Sequence, residues 1–295
     1  MRPPAIRLDE GSKVTRNFTT YNLQLTTYNL QLTTYNLQLT TYNLQLTTSM
    51  QITFLGTNGW FDTKIGNTIC TLIETKDKYI ILDAGLGIHK LKKYYKKDKP
   101  VYLFISHLHL DHIYGMHLLP LFDFKQPLTI LLAQESMQKF KFIINHPFTG
   151  ALKNLKYKAK IIGLKQGSYK KPLKFDCRLL KHADLTLGYR LYLENKIISY
   201  CSDTGPCDNA IALGKNADIL VHECAFLPGE SDVWGHANPK EAAAIAKKAG
   251  AKRLFLTHFG ADRYDSIASR KKAERIAKQI FPNSRAAFDD LTITL

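Results

Sequence analysis

From Met50 onward, short apolar runs rich in Val, Ile, Leu, Phe and Tyr alternate with polar or helix-forming stretches. QITFL (51–55), TICTLIET (68–75), YIILD (79–83) and VYLFIS (101–106) read as strands bounded by turn residues. Further strands are expected at LTILL (128–132), LKFDCRLL (173–180), LGYRLYL (187–193), KIISYCS (196–202), DILVH (218–222) and RLFLTH (253–258). The clearest helix starts after Asn238, with Pro239 at its first position and Glu241 three residues past the cap, and stops at Gly250. This order predicts strands in two sheets with helices outside, and no linker divides residues 50–295.

Residues 19–46 are different: four perfect copies of TTYNLQL. As a strand, the odd period puts Tyr21, Leu23 and Leu25 on one face and Tyr28, Leu30 and Leu32 on the other, so neither face stays apolar. As a helix, the apolar positions miss a coiled-coil seam and the Thr pairs lower helix propensity. Residues 1–49 are therefore expected to be a low-complexity, disordered extension, at most a sticky strand former. Met50 is the start expected for the globular chain, and the upstream segment reads as translated tandem DNA repeats.

At 295 residues with 45% hydrophobic and 22% charged residues, the composition is that of an ordinary globular protein with a sizeable core. No apolar run approaches the ~20 residues that cross a bilayer, and no secretory leader pattern opens the chain, which points to a cytoplasmic protein without a membrane partner. Cys70, Cys177, Cys201, Cys207 and Cys224 form no CxxC pair and are odd in number, which argues against a disulfide framework. The 41 basic and 25 acidic residues give +16; without residues 1–49 the counts are 37 and 23, or +14. The excess lies in the globular part, including Lys92, Lys93, Lys96, Lys97 and Lys99. It suits an anionic partner such as nucleic acid, and equally a solvated surface.

The chemistry is concentrated after VYLFIS. His107, His109, Asp111 and His112 form HxHxDH, three imidazoles and a carboxylate within six residues at a strand end. Imidazole nitrogens and carboxylate oxygens are the usual donors to zinc and related divalent ions.

HxHxDH, followed in order by LKHAD (His182), CSDTGP (Asp203) and FLTHFG (His258), resembles the metallo-β-lactamase superfamily. The resemblance implies a four-layer αββα sandwich with the site at one edge of two sheets. It implies that His107, His109 and His182 hold one ion, that Asp111, His112 and His258 hold a second, and that Asp203 bridges them. Two Zn2+ are expected, with Mn2+ or Fe2+ as alternatives for the same donors. A pair of ions lowers the pKa of a shared water, so that a bridging hydroxide exists at neutral pH, and neutralises charge on the attacked group.

FLGTNG (54–59), HADLTLGYR (182–190), ADILVHECAF (217–226), the segment from Gly235 to Gly250 and LTHFGADRY (256–264) are similar to ribonuclease Z, which trims the 3′ end of precursor tRNA. That likeness implies proton transfer by His236 supported by Glu223, beside the catalytic carboxylate Asp111, and a homodimer. A phosphodiester leaving group needs a proton, which makes a His beside a carboxylate apt. One feature departs from the family. Only LYLENKI (191–197) stands between Arg190 and the strand leading to Asp203, where ribonuclease Z usually inserts a long basic arm that grips tRNA.

The expected function is thus a binuclear phosphodiesterase or endoribonuclease acting on a phosphodiester, RNA among the candidates. An acyl hydrolase for lactones, thioesters or β-lactams is the alternative on the same fold, and a non-catalytic nucleic-acid-binding module is a third reading that the complete donor set opposes. Of the other histidines, His117 is expected near the site without binding metal, His89 and His222 in packing, and His146 in a loop at the substrate entrance. Asp83 is expected to orient a ligand histidine.

Overall fold

The computed structural model describes residues 11–96, 98–230 and 233–295, with the backbone alone at 11–20 and 41–48. Lys97 of the lysine-rich run and residues 1–10 of the extension lie outside the described residues.

The repeat segment is not irregular. It is a single α-helix, Gly11–Thr48. On a helix, against the expectation, Leu25, Tyr28, Leu32, Tyr35 and Leu39 recur at the alternating three- and four-residue spacing of a heptad stripe, and a helix satisfies its own backbone, whereas a lone strand leaves every peptide group unpaired. Leu and Gln favour the helix, and the threonine hydroxyls donate back one turn, Thr26 to the Asn22 carbonyl at 2.7 Å and Thr33 to Asn29 at 2.8 Å. Its apolar side chains gain nothing, since Tyr21, Leu23, Tyr28 and Leu30 are all exposed.

The body from Met50 holds two sheets. Its strands are β1 (Gln51–Gly56), β2 (Asn58–Gly59), β3 (Cys70–Glu74), β4 (Tyr79–Leu82), β5 (Val101–Phe104), β6 (Leu128–Ala133), β7 (Ala159–Leu164) and β8 (Gly167–Tyr169). They continue with β9 (Phe175–Leu179), β10 (Leu187–Leu193), β11 (Lys196–Cys201), β12 (Ile219–Cys224), β13 (Leu254–Gly260), β14 (Ser284–Ala286) and β15 (Thr292–Thr294). The first sheet runs β15-β1-β3-β4-β5-β6-β7; the second runs β14-β13-β12-β11-β10-β9-β8, with β2 paired to β13. Strands β4 to β7 are mutually parallel, and so are β11 to β14.

Strict alternation along the strands builds the layers. Phe54, Ile80, Leu82 and Phe104 of the first sheet meet Tyr189, Leu191, Tyr200 and Phe255 of the second in one core. Leu72, Ile81, Leu103 and Ile130 point the other way, under Ile88, Leu91, Met116 and Phe140. On the far side, Leu220, Leu254 and Leu256 pack beneath Ala210, Leu213, Ala242, Ala246 and Ala273 of the outer helices. The result is the expected four-layer αββα order. Because both faces of the central strands are covered, they read in sequence as continuous apolar runs.

The helix Pro239–Ala249 forms where expected. Asn238 caps the amides of Lys240 and Glu241, Glu241 returns a bond to the Asn238 amide, and Gly250 ends it at φ 63°. All five cysteines are free, and no helix among the described residues is long and apolar enough to cross a membrane.

Candidate metal centre

Parallel strands deliver their C-terminal ends to one edge of the sandwich, and the polar residues gather there. HxHxDH follows β5, Asp203 follows β11, Glu223 is the next-to-last residue of β12 and His258 lies in β13. His258 is the extra residue of a β-bulge: Glu223 pairs with Thr257 and Cys224 with Phe259, and His258 takes φ 49°. The bulge turns its ring into the site while Phe259 returns to the helix-side core. Gly59 makes room for that ring, since a Cβ there would stand 2.5 Å from His258 Cε1.

Two groups of donor atoms result, each within 4.8 Å: His107, His109, His182 and Asp203, and beside them Asp111, His112 and His258. A third set at the same spacing joins Asp203 and His258 to His236. Asp203 spans the first two. Its Oδ2 is 3.7 Å from His107 Nε2, and its Oδ1 is 3.2 Å from both His112 Nε2 and His258 Nε2. Asp111 Oδ2 lies 3.2 Å from His258 Nε2 and 3.5 Å from His112 Nε2, and His182 Nε2 is 3.5 Å from His109 Nδ1.

The residues present fit divalent cations. His107 Nε2 is buried with no hydrogen-bond partner among the described residues, while its Nδ1 sits 3.0 Å from Ser106 Oγ, so the ring is oriented with one donor aimed into the cluster. His112 is held in the same way. Asp83 Oδ2 lies 2.9 Å from His112 Nδ1, and the Asp83 carboxylate also accepts the Ser106 amide and hydroxyl and the Tyr200 hydroxyl.

The electrostatics follow from this crowding. Burial, then His112, pushes His107 well below its ordinary range. Burial would also lower His112, but Asp203, Asp111 and Asp83 outweigh it and raise that ring. Burial opposes ionisation of Asp203, yet His258, His112 and His107 hold its carboxyl well below the usual range, and His112 and His258 do the same for Asp111. His182 is lowered by burial despite Asp203.

His236 closes the site from the segment before the helix Pro239–Ala249. Its Nδ1 is 2.8 Å from Glu223 Oε1, and Glu223 is itself fixed by the amides of Thr204 and Ala225, both at 2.8 Å. Gly235 reaches this position only at φ 81°, with its would-be Cβ 2.7 Å from the Lys181 carbonyl. A cavity of about 630 Å³ opens over the cluster, lined by Trp60, Asp111, Asp203, Phe226, Trp234, His236, His258 and Arg263 among others.

Asp83 lies where it was expected, against His112. His117 is on the turn Tyr114–Leu121 with Nδ1 2.5 Å from the Tyr114 carbonyl, and His89 makes the equivalent bond to Leu86. His222 is buried with Nδ1 2.9 Å from the Glu223 carbonyl. His146 is exposed, follows the helix Met137–Ile143 and does not line the cavity. Sequence reasoning missed Gly59, Trp60, Ser106, Tyr200 and Trp234. The NGW turn after β1 and the Trp-Gly-His run were the available signals.

The sequence pattern of the beta-lactamase superfamily domain matches residues 78–259, and the chain belongs to that family. It is a metallo-β-lactamase-fold hydrolase related to ribonucleases Z and BN. Ribonuclease BN of Proteus mirabilis is 28% identical, with 83% of this chain and all of that protein aligned; Ribonuclease Z of Bacillus velezensis is 26% identical, with 83% and 99% aligned. Both alignments run to 313 positions, more than the length of this chain, so these relatives carry residues without a counterpart here. Among solved structures, the metallo-beta-lactamase fold protein YhfI from Bacillus subtilis is 25% identical with a TM-score of 0.70, covering 83% of this chain and 99% of its own. The short form of human tRNase Z shares the fold at a TM-score of 0.65 and 22% identity, with 82% and 98% covered.

Proposed function

We propose that the body from Met50 is a binuclear, metal-dependent phosphodiesterase of the ribonuclease Z type that cleaves RNA. The observation that supports this most is the His236–Glu223 pair, 2.8 Å apart, opening on the same cavity as Asp203 and His258. An alkoxide leaving group needs a proton, and an imidazole held by a buried carboxylate is placed to give one from Nε2. Acyl transfer from activated esters has less need of such a donor.

In this reading His107, His109 and His182 hold one ion, Asp111, His112 and His258 the other, and Asp203 lies between them. Two Zn2+ suit the set, and Mn2+ or Fe2+ match the same donors. Ions bound there make water a nucleophile near neutral pH and offset charge on the attacked group. The protein's part is orientation: Asp83 and Ser106 fix the rings of His112 and His107, and Glu223 fixes His236. The +14 of residues 50–295 attracts a polyanion. Residues 1–49 stand outside the catalytic body, and a cytoplasmic homodimer completes the reading.

The test is cleavage of a 3′-extended tRNA precursor by the metal-loaded protein, beside a simple phosphodiester, with Asp203→Ala as control. Asp203-dependent cleavage after the discriminator base supports tRNA processing without the usual arm. Cleavage of the simple diester alone assigns another phosphodiester substrate, and inactivity on both, with activity on a lactone or thioester, overturns the proposal in favour of acyl hydrolysis.

A further inference from the structure

The chain has two tryptophans, Trp60 and Trp234, and both line the cavity above the donor cluster. Neither serves a core, because Trp60 is 68% and Trp234 52% exposed. Leaving two indoles in water gives up the burial that ordinarily stabilises a fold, so their shared position calls for a ligand with flat apolar faces.

Each indole is tied to one of the two donor groups. Trp60 takes φ 74°, its amide donates to Asp111 Oδ2 at 2.7 Å, and its ring meets Phe61 edge-on at 5.2 Å. Trp234 lies 5.9 Å from the His109 ring, and its carbonyl accepts the Ala183 amide, next to His182, at 2.8 Å. The cavity also lacks an uncommitted guanidinium or ammonium among the described residues. Arg263, its one such lining residue, bonds Glu230 at 2.9 Å and Asp262 at 2.7 Å and covers the Phe226 ring. Flanking phosphates therefore find no side-chain clamp on the wall, whereas flanking bases find aromatic faces.

We propose that Trp60 and Trp234 are stacking platforms for the nucleobases on the two sides of the scissile phosphodiester, which makes the substrate single-stranded RNA at the cut. The inference rests on the phosphodiesterase reading above. Stacking tolerates any base and requires bases already freed from a duplex, so the site selects unpaired ends and loops over helices. Trp60 couples this recognition to the centre, since the residue that carries the indole also holds Asp111.

Two measurements on the metal-loaded full chain test this. In the first, stopped-flow tryptophan fluorescence is followed, before turnover, on mixing with a short single-stranded oligoribonucleotide or with an abasic ribose-phosphate oligomer of equal charge. Saturable quenching by the base-bearing strand alone is expected, with one component lost in Trp60→Ala and the other in Trp234→Ala. No quenching, or equal quenching by the abasic strand, overturns the inference.

In the second, KM is compared for uridine 5′-(4-nitrophenyl phosphate) and methyl 4-nitrophenyl phosphate. The base-bearing diester should have the lower KM, and one of the two Trp→Ala variants, the one whose platform takes the single uracil, should narrow that gap by roughly fivefold to hundredfold, with Trp→Tyr at that position restoring most of it. A gap that neither variant narrows overturns the platforms. Base-dependent quenching in a protein that cleaves neither diester would leave stacking standing and sink the phosphodiesterase reading instead.

Discussion

The backbone of Gly59 lies against the ring of His258, close enough that a Cβ would stand 2.5 Å from Cε1, 2.7 Å from Nδ1 and 2.8 Å from Nε2. The bulge at φ 49° holds the backbone of His258, so the ring itself has to give way. Gly59→Ala is therefore expected to push His258 away from Asp111 and Asp203 and to weaken metal retention by ~10–100-fold, the range seen when the support of a ligand is disturbed. Metal content by elemental analysis after dialysis against a weak chelator checks this; full occupancy in the variant would refute it.

Asp83 supports the site from beneath. Its buried carboxylate accepts from Ser106 twice and from Tyr200, and faces His112 Nδ1. Asp83→Asn puts an amide donor where donors already converge and removes the charge that orients His112. A loss of ~1–3 kcal/mol in stability is expected, together with weaker metal binding, read by thermal unfolding of the metal-free and metal-loaded protein. A variant as stable as the parent in both states would show that Asp83 is dispensable.

His236 should matter in proportion to the leaving group. His236→Ala is expected to slow cleavage of an RNA phosphodiester by ~10²–10⁴-fold and to slow a 4-nitrophenyl diester far less, because nitrophenolate departs without a proton. Rates on the two substrates give the answer; equal losses would assign His236 to structure or metal retention.

Glu274 supplies an acid-sensitive contact remote from the centre. Burial raises its carboxyl, but the bond from Lys278 at 2.6 Å and the Ala286 amide at 3.0 Å outweigh that and lower it. A depressed folded pKa gives stability that is complete above the unfolded value and is lost as pH falls through the folded value. Glu274→Gln should thus unfold at a lower temperature than the parent at pH 7, and the gap should close below about pH 4. A gap that persists in acid would point to packing instead.

Removing residues 1–49 should leave the unfolding midpoint and metal content of the body unchanged. The Tyr and Leu side chains described in the repeat helix, from Tyr21 to Leu39, are exposed, and exposed side chains contribute little to a core. Scanning calorimetry of the two forms settles it, and a midpoint several degrees lower on truncation would contradict the expectation.

What the sequence disclosed follows from where each residue's neighbours sit. Strands such as β5 and β6 are covered on both faces, so apolar runs marked them, and the capped helix Pro239–Ala249 carried its own signals. Strands β2, β14 and β15 are two or three residues long and owe their form to partners, so no local pattern announced them. The helix Ile267–Lys278 was hidden because it buries Arg270, which donates to Thr57 Oγ1 at 2.7 Å and lies over the Phe259 ring. At the site, HxHxDH was legible because its four donors fall within six residues. The bulge at His258 was not, since it depends on the register between β12 and β13.

Between β10 and β11 the chain reverses through Glu194 and Asn195 alone, at φ 45° and 63°, a two-residue hairpin turn. It lies at the end of β11 opposite Asp203, in the interval where the family resemblance places the tRNA-gripping arm. Leu193 and Lys196 are paired neighbours in the ladder, so an insertion there costs only loop closure, growing by roughly 0.6 kcal/mol per doubling of length, and leaves every strand in register. Targeting and chemistry are in this way separable modules. The hairpin is a socket into which a further segment can be grafted without disturbing the strands that carry the site.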